Sequence, residues 1–193
     1  MHILTLNDHV TELTESDEVE LLNLLPQWRR EAALRYRFAQ GRRECAVAYV
    51  ELLRALRLAC GIDCKPRFAY TEHGKPYLPD YPRLHFSISH CREAVGCLLA
   101  DRPCGLDVEC IRPARESLIH YTMNEEEASC ILAAPCPDLA FTELWTRKEA
   151  LFKLRGTGIT DDLRTILSPV NLSGILLTTT PNPIRSYVLT TAL

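Results

Sequence analysis

The sequence lacks the marks of several common classes of protein. Its net charge is −3 and its isoelectric point is near 6.1, whereas proteins that bind nucleic acids usually carry a basic surplus. No apolar run approaches the length that crosses a membrane. The first residues also lack the basic and apolar regions of a signal peptide. We therefore expect a cytoplasmic protein that binds neither nucleic acid nor membrane.

The cysteines do not follow a metal-binding pattern. There are nine of them, an odd number, and no two have the C-x-x-C spacing that is typical of zinc sites. They are spread through apolar segments of the chain. We interpret them as small buried hydrophobic residues in a reducing compartment.

Glycine-rich nucleotide loops, low-complexity segments and residue-level repeats are also missing. The 193 residues, of which 47% are hydrophobic, suffice for one core or for two small halves that share one. Apolar spacing and capping residues predict helices over Glu12–Leu25, Glu44–Cys60, Glu125–Ala133 and Asp138–Leu154. Predicted strands are His2–Leu6, Arg67–Glu72, Leu84–Ser89, Ala94–Leu99, Cys104–Glu109, Ile166–Leu172, Ile175–Thr180 and Ile184–Leu189. Because these elements follow in mixed order, we expect an α+β fold.

The strand Gly105–Glu109 carries two acids that should point to the same face. Asp107 and Glu109 are two residues apart, and side chains at that spacing share a face of a strand. Neighbouring carboxylates repel, so each makes ionisation of the other more costly. Such a pair is tolerated beside a cation or in open water. By itself the pair is more often a solvated edge strand than a site.

A third acid lies in the predicted long helix. Trp145, Glu149 and Lys153 are four residues apart and form one stripe. Glu149 and Lys153 alone would most often be an exposed ion pair that stabilises the helix by roughly 0.3–0.5 kcal/mol. Tryptophan is usually buried, however, so the stripe should border a packed surface. If Glu149 reaches the two strand acids, three carboxylates would suit Mg²⁺ and a substrate phosphate.

A further candidate lies at the end of the strand Leu84–Ser89. Alternation separates Phe86, Ile88 and His90 from the opposite face, which carries Ser87 and Ser89. At the strand end, His90 is free to face a cleft. The alternative is a histidine that is hydrogen-bonded to local backbone.

Together these stretches resemble the Sfp-type 4′-phosphopantetheinyl transferase family. Four segments follow its motifs in order, within the stretch from Arg29 to Gly158. The family patterns are Gly-Lys-Pro, Phe-Asn-x-Ser-His, Gly-Ile-Asp-Ile-Glu and Trp-x-x-Lys-Glu-Ala-x-x-Lys. They correspond to Gly74–Pro76, Phe86–His90, Gly105–Glu109 and Trp145–Lys153. The chain differs at Ser87, where asparagine is usual, and at Cys91, where serine is frequent.

The resemblance implies a fold and a reaction. The fold is a single unit over residues 1–193 that consists of two similar α/β halves, about 1–102 and 103–193. The family pattern implies a monomer. Each half is a long helix against a small antiparallel sheet, the two are related by a pseudo-twofold axis, and the active site lies between them. The reaction takes the 4′-phosphopantetheine arm of coenzyme A to a serine of an apo acyl, peptidyl or aryl carrier protein. The serine hydroxyl attacks the β-phosphate, and adenosine 3′,5′-bisphosphate leaves.

The resemblance also implies roles for individual residues. Asp107, Glu109 and Glu149 would hold Mg²⁺ with the pyrophosphate, and Glu149 or a metal-bound water would deprotonate the serine. Asp107, Glu149 and Lys153 form the catalytic set, in which Lys153 neutralises the leaving phosphate. The residues assigned to coenzyme A are His90 at the pyrophosphate, Lys75, Ser89 and Arg43 on the 3′-phosphate side, Gly74 and Pro76 near the adenine, and Lys153.

Two other functions fit parts of the pattern. The first is a binding module that captures coenzyme A or a carrier protein without transfer, and the intact acids together with Lys153 argue against it. The second is another Mg²⁺-dependent phosphotransferase that uses a nucleotide. The missing phosphate-binding loop argues against the second function.

Overall fold

The computed structural model describes residues 1–159 and 161–193 and has an α+β architecture with small antiparallel sheets. The strands are β1 (His2–Asn7), β2 (Ala69–Tyr70), β3 (Pro76–Tyr77), β4 (His85–His90), β5 (Val95–Ala100), β6 (Gly105–Cys110), β7 (Leu177–Asn182) and β8 (Tyr187–Ala192). The helices are α1 (Glu15–Leu24), α2 (Gln27–Leu34), α3 (Ala39–Cys60), α4 (Glu116–Thr122), α5 (Glu125–Ala133) and α6 (Pro137–Arg155). Within this described range, no helix has the length and apolar character needed to span a membrane.

The first long helix, α3, lies against the sheet with strand order β1-β5-β4. Its apolar stripe buries Leu52 and Leu56 against Phe86 of β4 and Leu99 of β5, which is the spacing expected of an amphipathic helix. The helix ends where Gly61 adopts a left-handed conformation, with φ of 65°. This confirms the predicted C-terminal stop.

The second long helix, α6, lies against the sheet with strand order β6-β8-β7. Leu151 and Phe152 of this helix pack with Ile166. The two three-stranded sheets share a further core cluster, which includes Leu98 of β5 and Leu106 of β6. This shared core holds the two long helices and their sheets in one packed body.

Strands β4 and β6 meet through side chains at the junction of the two sheets. Ser87 Oγ accepts a hydrogen bond from the backbone N–H of Leu106 at 2.9 Å. Ser89 Oγ donates to Asp107 Oδ1, also at 2.9 Å. The two serines therefore point to the same side of β4, as the alternation predicts, and β4 covers the edge of β6.

Several predicted boundaries were wrong. No strand forms over Ile166–Leu172, because these residues make successive turns and Ile166 is buried by packing against α6. The last two strands begin later than predicted, because Ile184 lies in the turn between them and is 95% exposed. The strand predicted over Arg67–Glu72 forms only at Ala69–Tyr70. Helix starts also differ: α1 begins at Glu15, capped by Thr14, α3 begins at Ala39, and α6 begins at Pro137.

Gly105 is the point of closest approach between β6 and α6. A Cβ atom at this position would lie 1.8 Å from the carbonyl oxygen of Ala150 and 2.6 Å from the backbone nitrogen of Leu154. Both atoms belong to the helix backbone, which cannot yield as a flexible side chain can. The glycine therefore sets the distance between the acids of β6 and the stripe on α6.

We expect Gly105→Ala to lower the free energy of unfolding by about 3 kcal/mol, because the added methyl group forces α6 away from β6. Gly61→Ala is the matched control. A Cβ at Gly61 meets nothing within 4 Å, so that change should cost only about 1 kcal/mol of left-handed backbone strain. Urea denaturation of both variants measures the difference, and equal losses would contradict the close-packing role.

Candidate active site

A cleft of about 280 Å³ brings together segments that are far apart in the sequence. One wall is the turn with Gly74, Lys75 and Pro76, and the opposite wall is α6 with Glu149 and Lys153. Strand β4 contributes Phe86, Ser87 and Ile88. Residues from three of the four motifs therefore line one cavity of a size that is ordinary for small-molecule sites.

Beside this cleft, Lys153 of α6 forms an ion pair with Asp107 of β6. Its Nζ donates to Asp107 Oδ1 at 2.6 Å and to Ser89 Oγ at 2.8 Å. The side chain of Asp107 is 3% exposed and that of Lys153 is 31% exposed. The buried carboxylate is thus held between a serine of β4 and the ammonium of α6, and the predicted convergence of these motifs takes place here.

The other two predicted acids interact with the same centre. Burial and the neighbouring charge of Asp107 raise the pKa of Glu109 to about 7, and Glu149 adds to this, while Arg112 and Lys153 oppose it. Burial and Asp107 also raise the pKa of Glu149, against the opposing effect of Lys153. Lys153 therefore pairs directly with Asp107 and lowers the pKa of both glutamates. The three carboxylates outnumber this ammonium, so their mutual repulsion is only partly offset.

The donor set suits a hard divalent cation. Asp107 Oδ2 is buried and has no hydrogen-bond partner among the described residues, which is costly for a carboxylate oxygen unless a ligand satisfies it. Carboxylate oxygens are the protein ligands that Mg²⁺ prefers. As placed, no three His, Cys, Asp or Glu side chains in residues 1–159 and 161–193 are gathered into a ligand cluster. The acids are coupled by charge, and the shared metal site stays a prediction.

Lys75 has its charge directed at the end of α6. Its Nζ donates to the carbonyl oxygens of Lys153 at 2.5 Å, Cys104 at 3.1 Å and Leu154 at 3.3 Å. A cation is favoured at a helix C-terminus, where backbone carbonyls lack partners. Burial lowers the pKa of this lysine. Lys75 therefore fixes the end of α6 that carries Lys153.

His90 and Arg43 lie outside the residues that line the cleft. His90 Nδ1 contacts Glu44 Oε2 at 2.9 Å, and its side chain is 39% exposed. Arg43 Nε donates to Glu18 Oε2 at 3.1 Å. His90 is thus paired with an acid of α3, and Arg43 is paired with an acid of α1.

The ammonium of Lys148, inside the motif Trp145–Lys153, has a structural role that its position in the sequence does not reveal. Lys148 is 0% exposed, and its Nζ donates to Glu127 Oε2 at 2.6 Å, Leu163 O at 2.7 Å and Thr122 O at 3.1 Å. These contacts fasten α4, α5 and the turn at 161–164 to α6. Glu127 is the third helical residue of α5 in a capping box with Asn124. The capping-box spacing of Asn124 and Glu127 can be recognised in the sequence, but the contact of Glu127 with Lys148 cannot.

Comparisons with known proteins bear on this arrangement. Residues 103–190 match a family model described as the 4′-phosphopantetheinyl transferase superfamily. That region holds β6 and α6, including all three acids and Lys153.

Individual proteins described as phosphopantetheinyl transferases are similar to this chain over different lengths. A 4′-phosphopantetheinyl transferase of Bacillus subtilis is 28% identical over 151 residues, which cover 76% of this chain and 67% of that protein. The 4′-phosphopantetheinyl transferase Sfp of Bacillus subtilis strain 168 is 35% identical over 95 residues, 48% of this chain and 42% of Sfp. The L-aminoadipate-semialdehyde dehydrogenase-phosphopantetheinyl transferase of Eremothecium gossypii is 37% identical over 74% of this chain and 55% of that protein. The matches thus span from about two fifths to two thirds of these relatives.

The raised pKa of Glu109 predicts a pH-dependent stability. Its pKa in the folded protein, about 7, lies above the ordinary value of 4.5, so between these two pH values the folded state holds a proton that the unfolded chain releases. The free energy of unfolding should therefore fall as pH rises through this window. Glu109→Gln should flatten this slope and raise the free energy of unfolding at pH 8 by about 1–3 kcal/mol.

Urea denaturation without divalent cations, at pH 5 and pH 8, measures this effect. Glu20→Gln on the exposed side of α1 is the matched control and should leave the slope unchanged. A slope in Glu109→Gln equal to that of the parent protein would show that Glu109 does not carry the excess charge.

Proposed function

We propose that this chain is a member of the 4′-phosphopantetheinyl transferase superfamily and moves the 4′-phosphopantetheine arm of coenzyme A onto a serine of an apo carrier protein. The acceptor is an acyl, peptidyl or aryl carrier protein, and adenosine 3′,5′-bisphosphate is released. The proposed setting is a cytoplasmic monomer. The observation that carries the proposal is the contact of Lys153 with Asp107 and Ser89 beside the cleft.

That contact joins three of the four motifs at one point. Ser89 comes from β4, Asp107 from β6 and Lys153 from α6, and the cleft next to them is closed by Gly74 and Pro76 of the remaining motif. A carboxylate, a hydroxyl and an ammonium in a part-buried cavity are the groups that phosphoryl transfer needs for positioning and charge stabilisation. A purely structural ion pair would not require the two further, partly buried acids, Glu109 and Glu149.

The residues divide the work of the reaction as follows. Asp107, Glu109 and Glu149 would hold Mg²⁺, for which the unpartnered Asp107 Oδ2 is a suitable ligand. When bound, magnesium would neutralise and orient the pyrophosphate oxygens. Lys153, which now pairs with Asp107, would pair with the leaving phosphate when the carboxylate of Asp107 is bound to magnesium.

The chemical step exchanges one phosphorus–oxygen bond for another. The serine oxygen of the carrier protein bonds to the β-phosphorus, and the bond from that phosphorus to the bridging oxygen breaks. Glu149 accepts the proton of the serine hydroxyl. Burial and Asp107 raise the pKa of Glu149, and a raised pKa makes its carboxylate a stronger base. Lys153 balances the charge left on adenosine 3′,5′-bisphosphate.

Coenzyme A would occupy the cleft with its adenine near Gly74 and Pro76. Ser89 lies at the centre of the site, and Lys75 would serve the 3′-phosphate side from the same wall. His90 and Arg43 now pair with carboxylates, and an incoming phosphate would replace those carboxylates as their partner. The arginine side chain suits such an exchange because its donors match phosphate and carboxylate oxygens alike.

The fold supports a division into two related halves, about 1–102 and 103–193. In the first sheet the order β1-β5-β4 places the last strand between the first and the middle one, and β6-β8-β7 repeats this order. In each case the long helix, α3 or α6, follows the first strand in the chain and packs on its sheet. This repeated pattern is the one expected of a pseudo-twofold pair with a site at the junction.

Transfer is tested by mass spectrometry of the carrier protein. We expect an apo carrier protein incubated with this protein, coenzyme A and Mg²⁺ to gain about 340 Da, the mass of one phosphopantetheine group moved by phosphoryl chemistry. The reaction without coenzyme A is the control. If a reference transferase modifies the same carrier proteins and this protein modifies none, the non-catalytic binding module is the better description.

We expect Asp107→Asn to lower the transfer rate by about 100-fold or more, because it removes the charge that holds metal and lysine together. Circular dichroism should show an intact fold, since the amide keeps the shape of the carboxylate. Asp80→Asn changes an exposed acid on a loop and should transfer at the parent rate. Loss of folding in Asp107→Asn would mark the residue as structural instead.

A further inference from the structure

Two cysteines lie immediately after two of the site motifs. Cys91 follows His90 at the end of β4, and Cys110 follows Glu109 at the end of β6. The two strands run side by side, as the contacts of Ser87 with Leu106 and of Ser89 with Asp107 show. Cys91 and Cys110 lie just beyond these contacts, at the corresponding ends of the two strands.

The two thiols meet at this position. The side chains of Cys91 and Cys110 are neighbours, and Cys110 packs, with Leu106 and Val108 of the same strand, in the core cluster that contains Cys91. Both are free thiols, Cys91 buried and Cys110 partly exposed. The interpretation as buried hydrophobic residues therefore fits Cys91 but does not account for its direct contact with a second thiol.

Cys110 is held in place and can be reached from outside. Its sulfur has backbone contacts with Arg92 and Glu93 in the turn after β4, and a side-chain contact with Arg112. Cys110 and Glu109 also line a second cavity of about 320 Å³, which lies beside Phe141 of α6. A small thiol reagent that enters this cavity meets Cys110 first and finds Cys91 behind it.

We propose that Cys91 and Cys110 form a reversible redox-modification site, in which a low-molecular-weight disulfide converts the thiol pair into a disulfide that bridges β4 and β6. Disulfides in a reducing compartment are typically transient and regulatory, and a preformed pair of contacting thiols needs little movement to join.

The chemistry balances with oxidised glutathione as the oxidant. The sulfur of Cys110 attacks one sulfur of oxidised glutathione, and one glutathione thiolate leaves. Cys91 then attacks the sulfur of Cys110 in the mixed disulfide, and the second glutathione leaves. Two protein thiols are oxidised, one disulfide is reduced to two glutathione molecules, and the two thiol protons pass to them.

The bridge would restrain the end of β6 that carries Glu109. As placed, the described acids do not form a ready metal-ligand cluster, so gathering Glu109 with the other two acids around one metal would require a shift at this site. A covalent link at the next residue opposes that shift. This consequence for activity rests on the proposed transferase function, whereas the disulfide itself does not.

The test uses a variant in which the four exposed cysteines, Cys60, Cys64, Cys130 and Cys136, are replaced by serine. Incubation with oxidised glutathione should lower its mass by roughly 2 Da, the loss of two hydrogen atoms on disulfide formation. Peptide mapping should then locate the link at Cys91–Cys110, and dithiothreitol should reverse it. The midpoint of thermal unfolding should rise by about 5 °C or more in the oxidised form.

Adding Cys91→Ser to this variant is the matched control, because it removes one sulfur and keeps Cys110. It should show no loss of 2 Da and no rise in the unfolding midpoint, the figure of roughly 2 Da being the signature of the bridge. A glutathione adduct that persists on Cys110 in the parent variant, or no reaction at either thiol, would overturn the proposal.

Transfer by the oxidised form should be slower than by the reduced form by about tenfold to a hundredfold, because the acid next to the bridge is misplaced. Dithiothreitol should restore the rate. Equal rates would contradict the restraint on Glu109 even if the disulfide forms. If the reduced protein itself transfers nothing, the proposed function fails while the mass measurement still decides whether the disulfide exists.

Discussion

The arrangement depends on an excess of buried negative charge at the junction of β4, β6 and α6. Asp107 is buried, its charge raises the pKa of both Glu109 and Glu149, and Glu149 adds to the effect on Glu109. Lys153 supplies the nearest cation, and it pairs with Asp107 alone at 2.6 Å. A fold keeps such a costly cluster only when something else compensates for it. A divalent cation with a pyrophosphate substrate is the compensation that agrees with the chemistry of these groups.

The packing around this cluster holds the charges in place. Gly105 lets β6 approach the backbone of α6 closely. Lys75 binds the carbonyl groups at the end of α6, and Lys148 fastens the start of α5 to the middle of α6. The fully buried Lys148 and the partly buried Lys75 thus support α6 on the two sides of Glu149, while the part-exposed Lys153 faces the cleft. Lys148 has a structural task because a fully buried ammonium needs fixed partners.

Local patterns were sufficient to predict the main elements and which side chains share a face at the junction of the two sheets. Alternation in β4 placed Ser87 and Ser89 on one face, and the four-residue stripe placed Glu149 and Lys153 together on α6. Contacts that depend on distant segments could not be read in this way. The carbonyl partners of Lys75 lie about 30 and 80 residues away, and no local spacing encodes them. The strand predicted at Ile166–Leu172 failed because its apolar residues serve packing against α6 and not a sheet.

The most direct test of this account is a structure of the protein with Mn²⁺ and coenzyme A, in which the metal is located by its anomalous scattering. The account predicts one metal ion bound to a carboxylate oxygen of Asp107 at about 2.1–2.2 Å, within ligand distance of Glu109 and Glu149. It also predicts that the ammonium of Lys153 has left Asp107 and contacts a phosphate oxygen. A metal bound elsewhere on the protein, with the pair between Lys153 and Asp107 still intact, would contradict it.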